Sequence, residues 1–236
     1  MKYMGSKARI AKEILPIMLK EAKENNITTW VEPFVGGANL IDKVPSFYNR
    51  IGYDYNNHVI QAMCAIRDMA DFLPEKLSEE DYKKIKGTPP EPITSWLRFV
   101  GSFAGKFEAG YAREKGSNEY TFITRGKNNA KKQNKAIQGV QFIQSNYKDI
   151  IFENPSLVYC DPPYEGTTGY NKTINHEEFW EWCRNLTKQG HIVFVSEYNA
   201  PDDFVEVWKK EIQTNFDANR TDSKVAVEKL FKLKDK

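Results

Sequence analysis

The residues best suited to chemistry in this chain are a run of four, Asp161-Pro162-Pro163-Tyr164. Two prolines fix the backbone and carry no N–H, so the carbonyls around them face a ligand without competing donors. A carboxylate and an aromatic ring flank them. Such a turn offers acceptors beside a stacking face, which suits an exocyclic amino group on a nucleobase. Asp161 Oδ and the Pro162 carbonyl can take its two hydrogens, drawing the nitrogen out of planarity and turning its lone pair toward an electrophile, while Tyr164 lies on the base. The plainer reading of the same four residues is a proline turn that closes a strand.

A second group lies upstream, in Glu32-Pro33-Phe34-Val35-Gly36-Gly37-Ala38. Gly36 and Gly37 let the backbone turn tightly and approach a ligand with no Cβ in the way. Asp54 follows at roughly the 20-residue spacing of an acid that accepts hydrogen bonds from ribose hydroxyls. A dinucleotide is disfavoured, because G-x-G-x-x-G spacing is absent and Glu32 would oppose a pyrophosphate. A nucleoside bearing an ammonium group suits Glu32 better, and S-adenosylmethionine is such a ligand. On these residues alone, a strand-to-helix glycine turn with a surface aspartate accounts for the pattern equally well.

Other chemistries find less support. Cys64, Cys160 and Cys183 are odd in number and scattered, and His58, His176 and His191 lack metal-ligand spacing. We therefore expect reduced packing thiols and no protein-bound metal. With 40% hydrophobic and 28% charged residues, the chain can bury a core beneath a solvated surface, which excludes wholesale disorder. No apolar stretch approaches the roughly 18 residues of a membrane span, and Met1 to Lys7 lack the apolar core of a signal peptide, so the expectation is a soluble, cytoplasmic protein with no membrane partner. A net charge of +2 says little about nucleic acid, since what matters is where the charge sits.

The elements that must position these groups read as alternating helices and strands. Ile10, Ile14, Ile17 and Met18 predict a first helix, opened by Gly5 or Ser6, closed at Asn25-Asn26 and marked by Pro16. Trp30-Val31 predicts a strand, followed by the glycine turn and a helix. Arg50 to Asp54 predicts a second strand, with a helix from Asn56. Between Pro74 and about Lys135 the character changes, with charged runs, Pro89-Pro90-Glu91-Pro92 and several glycines, which predicts an inserted subdomain. A helix through Ile137 and Phe142 is then expected, followed by a strand Leu157–Cys160, a helix from Asn175 to Lys188, a strand His191 to Val195, and a late strand Val225 to Phe231. This alternation predicts an α/β sheet whose strand carboxyl ends present both the glycine turn and the diproline turn.

In this order the motifs resemble those of the Dam-like adenine-specific DNA methyltransferases, over most of the chain. Tyr3-Met4-Gly5-Ser6-Lys7 is similar to the amino-terminal cofactor motif, Glu32 to Gly37 to the glycine loop, Asp54 to the ribose-binding acid and Asp161 to Tyr164 to the catalytic tetrad. Ser6 and Ala38 depart from the family pattern where glycine is common. The resemblance implies a Rossmann-like S-adenosylmethionine-dependent methyltransferase sheet, residues 1–73 and 136–236, with an inserted, mainly helical target-recognition lobe, residues 74–135. It implies Asp161, Pro162 and Tyr164 as catalytic residues, and Tyr3, Lys7, Glu32, Phe34, Gly36, Gly37, Asp54 and Asp161 as cofactor contacts. The implied reaction moves a methyl group from S-adenosylmethionine to N6 of an adenine flipped out of double-stranded DNA at a specific site. A cytosine amine acceptor and a catalytically silent DNA-binding partner of the same fold are the alternatives.

Within the lobe, Arg125, Lys127, Lys131, Lys132 and Lys135 fall in a window free of acids and read as a phosphate-binding loop, or as a plain solvated basic loop. Phe103, Lys106, Phe107, Tyr111 and Arg113 mix aromatic and basic groups that would either stack beside an opened duplex or pack the lobe. Glu165 to Asn171 is expected to order over the flipped base. A partner restriction endonuclease is compatible with this reading, and the oligomeric state is left open.

Overall fold

The computed structural model describes residues 1–113, 121–165, 174–214 and 224–234. Five strands run parallel: β1 (Thr29–Glu32), β2 (Asn49–Asp54), β3 (Gln141–Gln144), β4 (Leu157–Cys160) and β5 (Ile192–Ser196). The late strand β7 (Lys224–Leu233) is antiparallel to both β5 and β6 (Phe204–Thr214), giving the order β3-β2-β1-β4-β5-β7-β6. All four residues of β4 are buried, as a central strand covered on both faces requires.

Strand alternation divides the interior into two layers. Trp30, Leu157, Tyr159, Phe194 and Leu230 face one core, while their neighbours Val31, Val158, Cys160, Val193, Val195 and Phe231 face the other. Helices α1 (Ala11–Glu24), α2 (Asn57–Met69), α4 (Pro92–Val100) and α5 (Thr121–Ala136) pack on the first face, and α6 (His176–Lys188) on the second. Ile14, Met18, Ile60 and Met63 are buried in the first layer, each worth about 2 kcal/mol against exposure. The short α3 (Glu79–Ile85) is capped by Ser78, whose Oγ accepts from Asp81 N at 3.0 Å. Trp96, Phe99 and Ile123 join the same core as α1 and α2, so the segment between Pro74 and Lys135 shares its interior with the sheet layer.

Several expectations need correction. Ser6 does not open α1; its Oγ accepts from Ala8 N at 3.3 Å and caps a short 3-10 helix, Lys7–Arg9, that precedes α1. No helix follows the glycine pair. Ala38 takes a positive φ of 53° there, and the chain makes only a 3-10 turn, Ile41–Lys43. The helix expected through Ile137 and Phe142 stops at Ala136, and Phe142 lies on β3. Gly139, with φ +75°, breaks it, and Arg50 donates to the Ala136 and Gln138 carbonyls at 2.8 and 2.6 Å, satisfying the helix end. The basic stretch read as a loop belongs to α5. Strand β6 was not anticipated, because a register shift between Glu206 and Trp208 interrupts the apolar alternation by which a strand is recognised. Glu165 is described, but the rest of the expected ordering segment, 166–171, lies outside the described residues.

No helix among the described residues is long and apolar enough to cross a membrane. Cys160 and Cys183 are buried free thiols and Cys64 is a half-buried one; among the described residues no His, Cys, Asp and Glu form a group able to hold a metal ion.

Candidate active site

Strand order reverses between β1 and β4, and in an open α/β sheet that switch point leaves a crevice at the strand carboxyl ends. Four acids stand there. Glu32 ends β1, Asp54 ends β2, Asp161 follows β4 and Glu197 follows β5. The crevice is a cavity of about 730 Å³, and its walls include Tyr3, Lys7, Glu32, Phe34, Gly36, Gly37, Asp54 and Asp161. Pro163 also lines it, whereas Pro162 and Tyr164 do not, although the Tyr164 ring lies 4.7 Å from the ammonium of the lining Lys7.

The glycine loop is built for close approach. Gly36 has φ +48°, and a Cβ there would lie 2.8 Å from Tyr3 Cε1. A Cβ at Gly37 would lie 2.7 Å from Tyr3 Cβ and 2.9 Å from the Met1 carbonyl. The amino-terminal segment and the glycine loop therefore form one surface. Gly36 N donates to Asp54 Oδ2 at 3.1 Å and Asn56 N donates to Oδ1 at 2.9 Å, so Asp54 ties the loop to β2. Burial pushes the Asp54 carboxyl up to about 6, against the pull of these two donors. Each oxygen keeps acceptor capacity for a ribose hydroxyl.

From the far side the loop is held by Gln133 of α5, which had no signal in the sequence. Its Nε2 donates to the carbonyls of Gly37 at 3.0 Å and Ala38 at 3.1 Å, and lies 3.2 Å from Asp42 Oδ2. Glu32 sits deeper, accepting from Trp30 Nε1 at 3.1 Å. Burial pushes its carboxyl well above the usual range, and no ion pair reaches it among the described residues. A ligand ammonium would supply the cation this site lacks.

At the diproline corner, Lys7 Nζ lies 2.8 Å from Asp161 Oδ1 and 3.8 Å from Glu228 Oε2, donates to Gly5 O at 3.1 Å, and stands 4.7 Å from the Tyr164 ring centroid. Burial works against the Lys7 ammonium, but Asp161 and Glu228 more than offset it and raise its pKa. Burial raises the Asp161 carboxyl, with Lys7 opposing. The Tyr164 hydroxyl donates to Glu228 Oε2 at 2.9 Å, and its ring meets Tyr198 edge to face at 4.7 Å. Behind this corner, Glu197 accepts from Tyr198 N at 2.7 Å and Glu165 N at 3.2 Å, and burial lifts it to about 7. Glu197 and Glu228 escaped the sequence reading, since each is a single acid in a strand or strand end with no motif around it.

The basic residues are dispersed over α5. Lys127 Nζ pairs with Glu75 Oε1 at 2.9 Å and Lys131 Nζ with Asp71 Oδ1 at 2.9 Å, so these two are engaged within the chain. Arg125, Lys132 and Lys135 are exposed. Of the aromatic set, Phe107 lines the cavity and packs on Phe99 at 4.8 Å, and the Tyr111 hydroxyl donates to Leu77 O, whereas Phe103 is exposed.

A sheet of this order, with a glycine loop and acids at its switch point, defines a Rossmann-like methyltransferase. Residues 3–91 and 100–225 match the model of the D12 class N6 adenine-specific DNA methyltransferases, and the chain belongs to that family. It is an S-adenosylmethionine-dependent enzyme that methylates adenine in DNA at N6. The chain is 22% identical, over 261 aligned positions covering 89% of it and 87% of the relative, to the type II methyltransferase M.MjaIII of Methanocaldococcus jannaschii. Among solved structures, it aligns with HI0767 of Haemophilus influenzae over 94% of this chain and 88% of that one, at 11% identity and a TM-score of 0.38. It aligns with yhhF of Escherichia coli over 95% and 86%, at 9% identity and the same TM-score of 0.38.

The residues present fit the cofactor. Gly36 and Gly37 line the cavity with bare backbone packed on Tyr3, Asp54 offers ribose acceptors, and Glu32 is a buried acid with no ion-pair partner among the described residues.

Proposed function

We propose that the enzyme receives an adenine swung out of double-stranded DNA at the diproline corner, where Asp161 and the Pro162 carbonyl accept the amine hydrogens and Tyr164 supports the base face. Flipping is required because the amine is otherwise engaged in the pair, and it costs a few kcal/mol. The observation that carries this reading is the place of Asp161: directly after β4, in one cavity with Lys7, Glu32 and Asp54.

When bound, S-adenosylmethionine supplies an activated methyl group on a sulfonium. Tyr3, the glycine loop, Asp54 and Glu32 would hold the nucleoside and its ammonium. Lys7 opposes the rise that burial imposes on the Asp161 carboxyl, and Asp161 acts as an acceptor that orients and polarises the amine. The proton leaves after transfer, when the methylated nitrogen is far more acidic, so a strong general base is not needed. Arg125, Lys132 and Lys135 on α5 provide phosphate contacts, within a target-recognition region spanning 74–135. The likeness to a type II methyltransferase supports a modification role beside a partner endonuclease.

The test is transfer of labelled methyl to unmodified DNA, followed by digestion to nucleosides. Wild type should give N6-methyladenine, and Asp161→Ala should lower turnover about a hundred- to a thousandfold, the scale of losing one preorganised electrostatic group. Methylated cytosine as the product, or near-native turnover in Asp161→Ala, would overturn the reading.

A further inference from the structure

One cation serves two carboxylates at the diproline corner. Lys7 Nζ is 2.8 Å from Asp161 and 3.8 Å from Glu228, leaving the cluster, among the described residues, one negative charge in excess. The neighbours of Glu228 do not cancel it. Lys210 stands opposite Glu228 in the β6–β7 register, but its ammonium pairs with Glu13. Lys229 turns to Glu206 at 3.6 Å, and Tyr164 offers Glu228 a neutral hydroxyl. Glu32 and Glu197, the other acids near Asp161, add no positive charge.

Because methyl and amine must come within about 3–3.5 Å of each other, a sulfonium has to arrive beside the carboxylate that holds the amine. The product, S-adenosylhomocysteine, carries a neutral thioether at the same atom. We infer that Glu228 supplies the excess negative charge that favours the sulfonium of the cofactor over the thioether of the product, and so sets the ratio of their affinities. Glu228 lies beyond the residues matched to the family model. The inference rests on the cavity being the S-adenosylmethionine site. Glu228 acts here as a charge-balancing residue, and a neutral product is thereby released more readily than the cofactor.

Titration calorimetry of S-adenosylmethionine and S-adenosylhomocysteine with the full chain tests it. Glu228→Gln keeps the size of the side chain and an acceptor for Tyr164 while removing the charge. It should weaken S-adenosylmethionine about five- to tenfold and leave S-adenosylhomocysteine within about twofold, as loss of a unit charge at this range predicts. Glu228→Ser, which leaves room for water, removes the same charge and should shift the ratio the same way if the glutamine variant does not fold. Tyr164→Phe, which removes the hydrogen bond but not the charge, should leave the ratio unchanged. Equal weakening of both ligands in the neutral variants, or a ratio shift in Tyr164→Phe, would overturn the charge role of Glu228 while leaving the cofactor site intact. Wild-type protein that binds neither ligand would overturn the site itself and this inference with it.

Discussion

Gln133 and Gly37 lie 96 residues apart in the chain, and the carboxamide of one donates to the carbonyl of the other at 3.0 Å. The same nitrogen reaches Ala38 O at 3.1 Å. The loop after β1 has no helix to absorb its carbonyls, so α5 does so together with the Met1 amino group, which donates to Gly37 O at 3.0 Å. Gln133→Leu should leave the buried Ala38 carbonyl without its donor, at about 1–3 kcal/mol for an unsatisfied group, while the Gly37 carbonyl keeps the Met1 amino group at 3.0 Å. The expected result is a cofactor dissociation constant raised about tenfold and a melting temperature lowered by about 2–4 °C for each kcal/mol lost. Calorimetry and thermal unfolding measure the two, and an unaltered dissociation constant would mean that the loop keeps its shape unaided.

Gly37 should tolerate no side chain. A Cβ there would stand 2.6 Å from Asn39 Nδ2 and 2.7 Å from Tyr3 Cβ, inside van der Waals contact. Gly37→Ala should displace Tyr3 or the loop and abolish measurable cofactor binding. Gly110→Ala is the control, because nothing lies within 4 Å of its Cβ position; it should bind as wild type does. Equal affinities in the two variants would refute the cradle.

Cofactor affinity should depend on pH through Asp54. Its carboxyl is raised by burial to about 6 in the free protein, and the ionised form, a stronger acceptor with no proton on either oxygen, holds the ribose hydroxyls better. Binding is thus linked to deprotonation: affinity is full above pH 6 and falls as pH drops, approaching about tenfold per pH unit well below that value. The sign for folding is opposite, since a raised carboxylate pKa makes Asp54 a group that lowers stability as pH rises from its unfolded value toward 6. Asp54→Asn should bind the cofactor weakly with a flattened profile. A wild-type profile that is flat between pH 5 and 7 would remove Asp54 from the ribose site.

Lysines on α5 should divide by their partners. Lys132 and Lys135 are exposed, whereas Lys131 is paired with Asp71 at 2.9 Å. Replacing Lys132 and Lys135 together by Gln should reduce the slope of log K against log salt for DNA binding by about two units, one per phosphate contact. Lys131→Gln should leave the slope unchanged and cost at most about 1 kcal/mol of stability, as for an exposed ion pair. Filter binding across a salt series distinguishes them.

What could be read in advance depended on whether a residue's role is written into its local pattern. Leu157 to Cys160 form β4 within the bounds that their apolar run gives, and Asn175 caps α6 where the core spacing of Phe179, Cys183 and Leu186 begins. Glu32, Asp54 and Asp161 meet in one cavity because each sits at or just after a strand's carboxyl end, a position that local sequence marks. Gln133, Glu197 and Glu228 carry no such mark. Each is a lone polar residue whose meaning comes from a partner 32 to 96 residues away in sequence. The basic window was legible as charge but not as helix, since the acids that engage Lys127 and Lys131 lie far upstream at Glu75 and Asp71.

The embrace of the glycine loop by α5 also limits how specificity can be exchanged among such enzymes. A chimera exchanged at junctions near residues 74 and 135, the bounds proposed for target recognition, would carry away Gln133, leaving the Ala38 carbonyl without its donor and the Gly37 carbonyl with the Met1 amino group alone. Grafts that place the distal junction before Ala130, keeping the last two turns of that helix with the recipient, would preserve the donor and swap only the outer part of the insert.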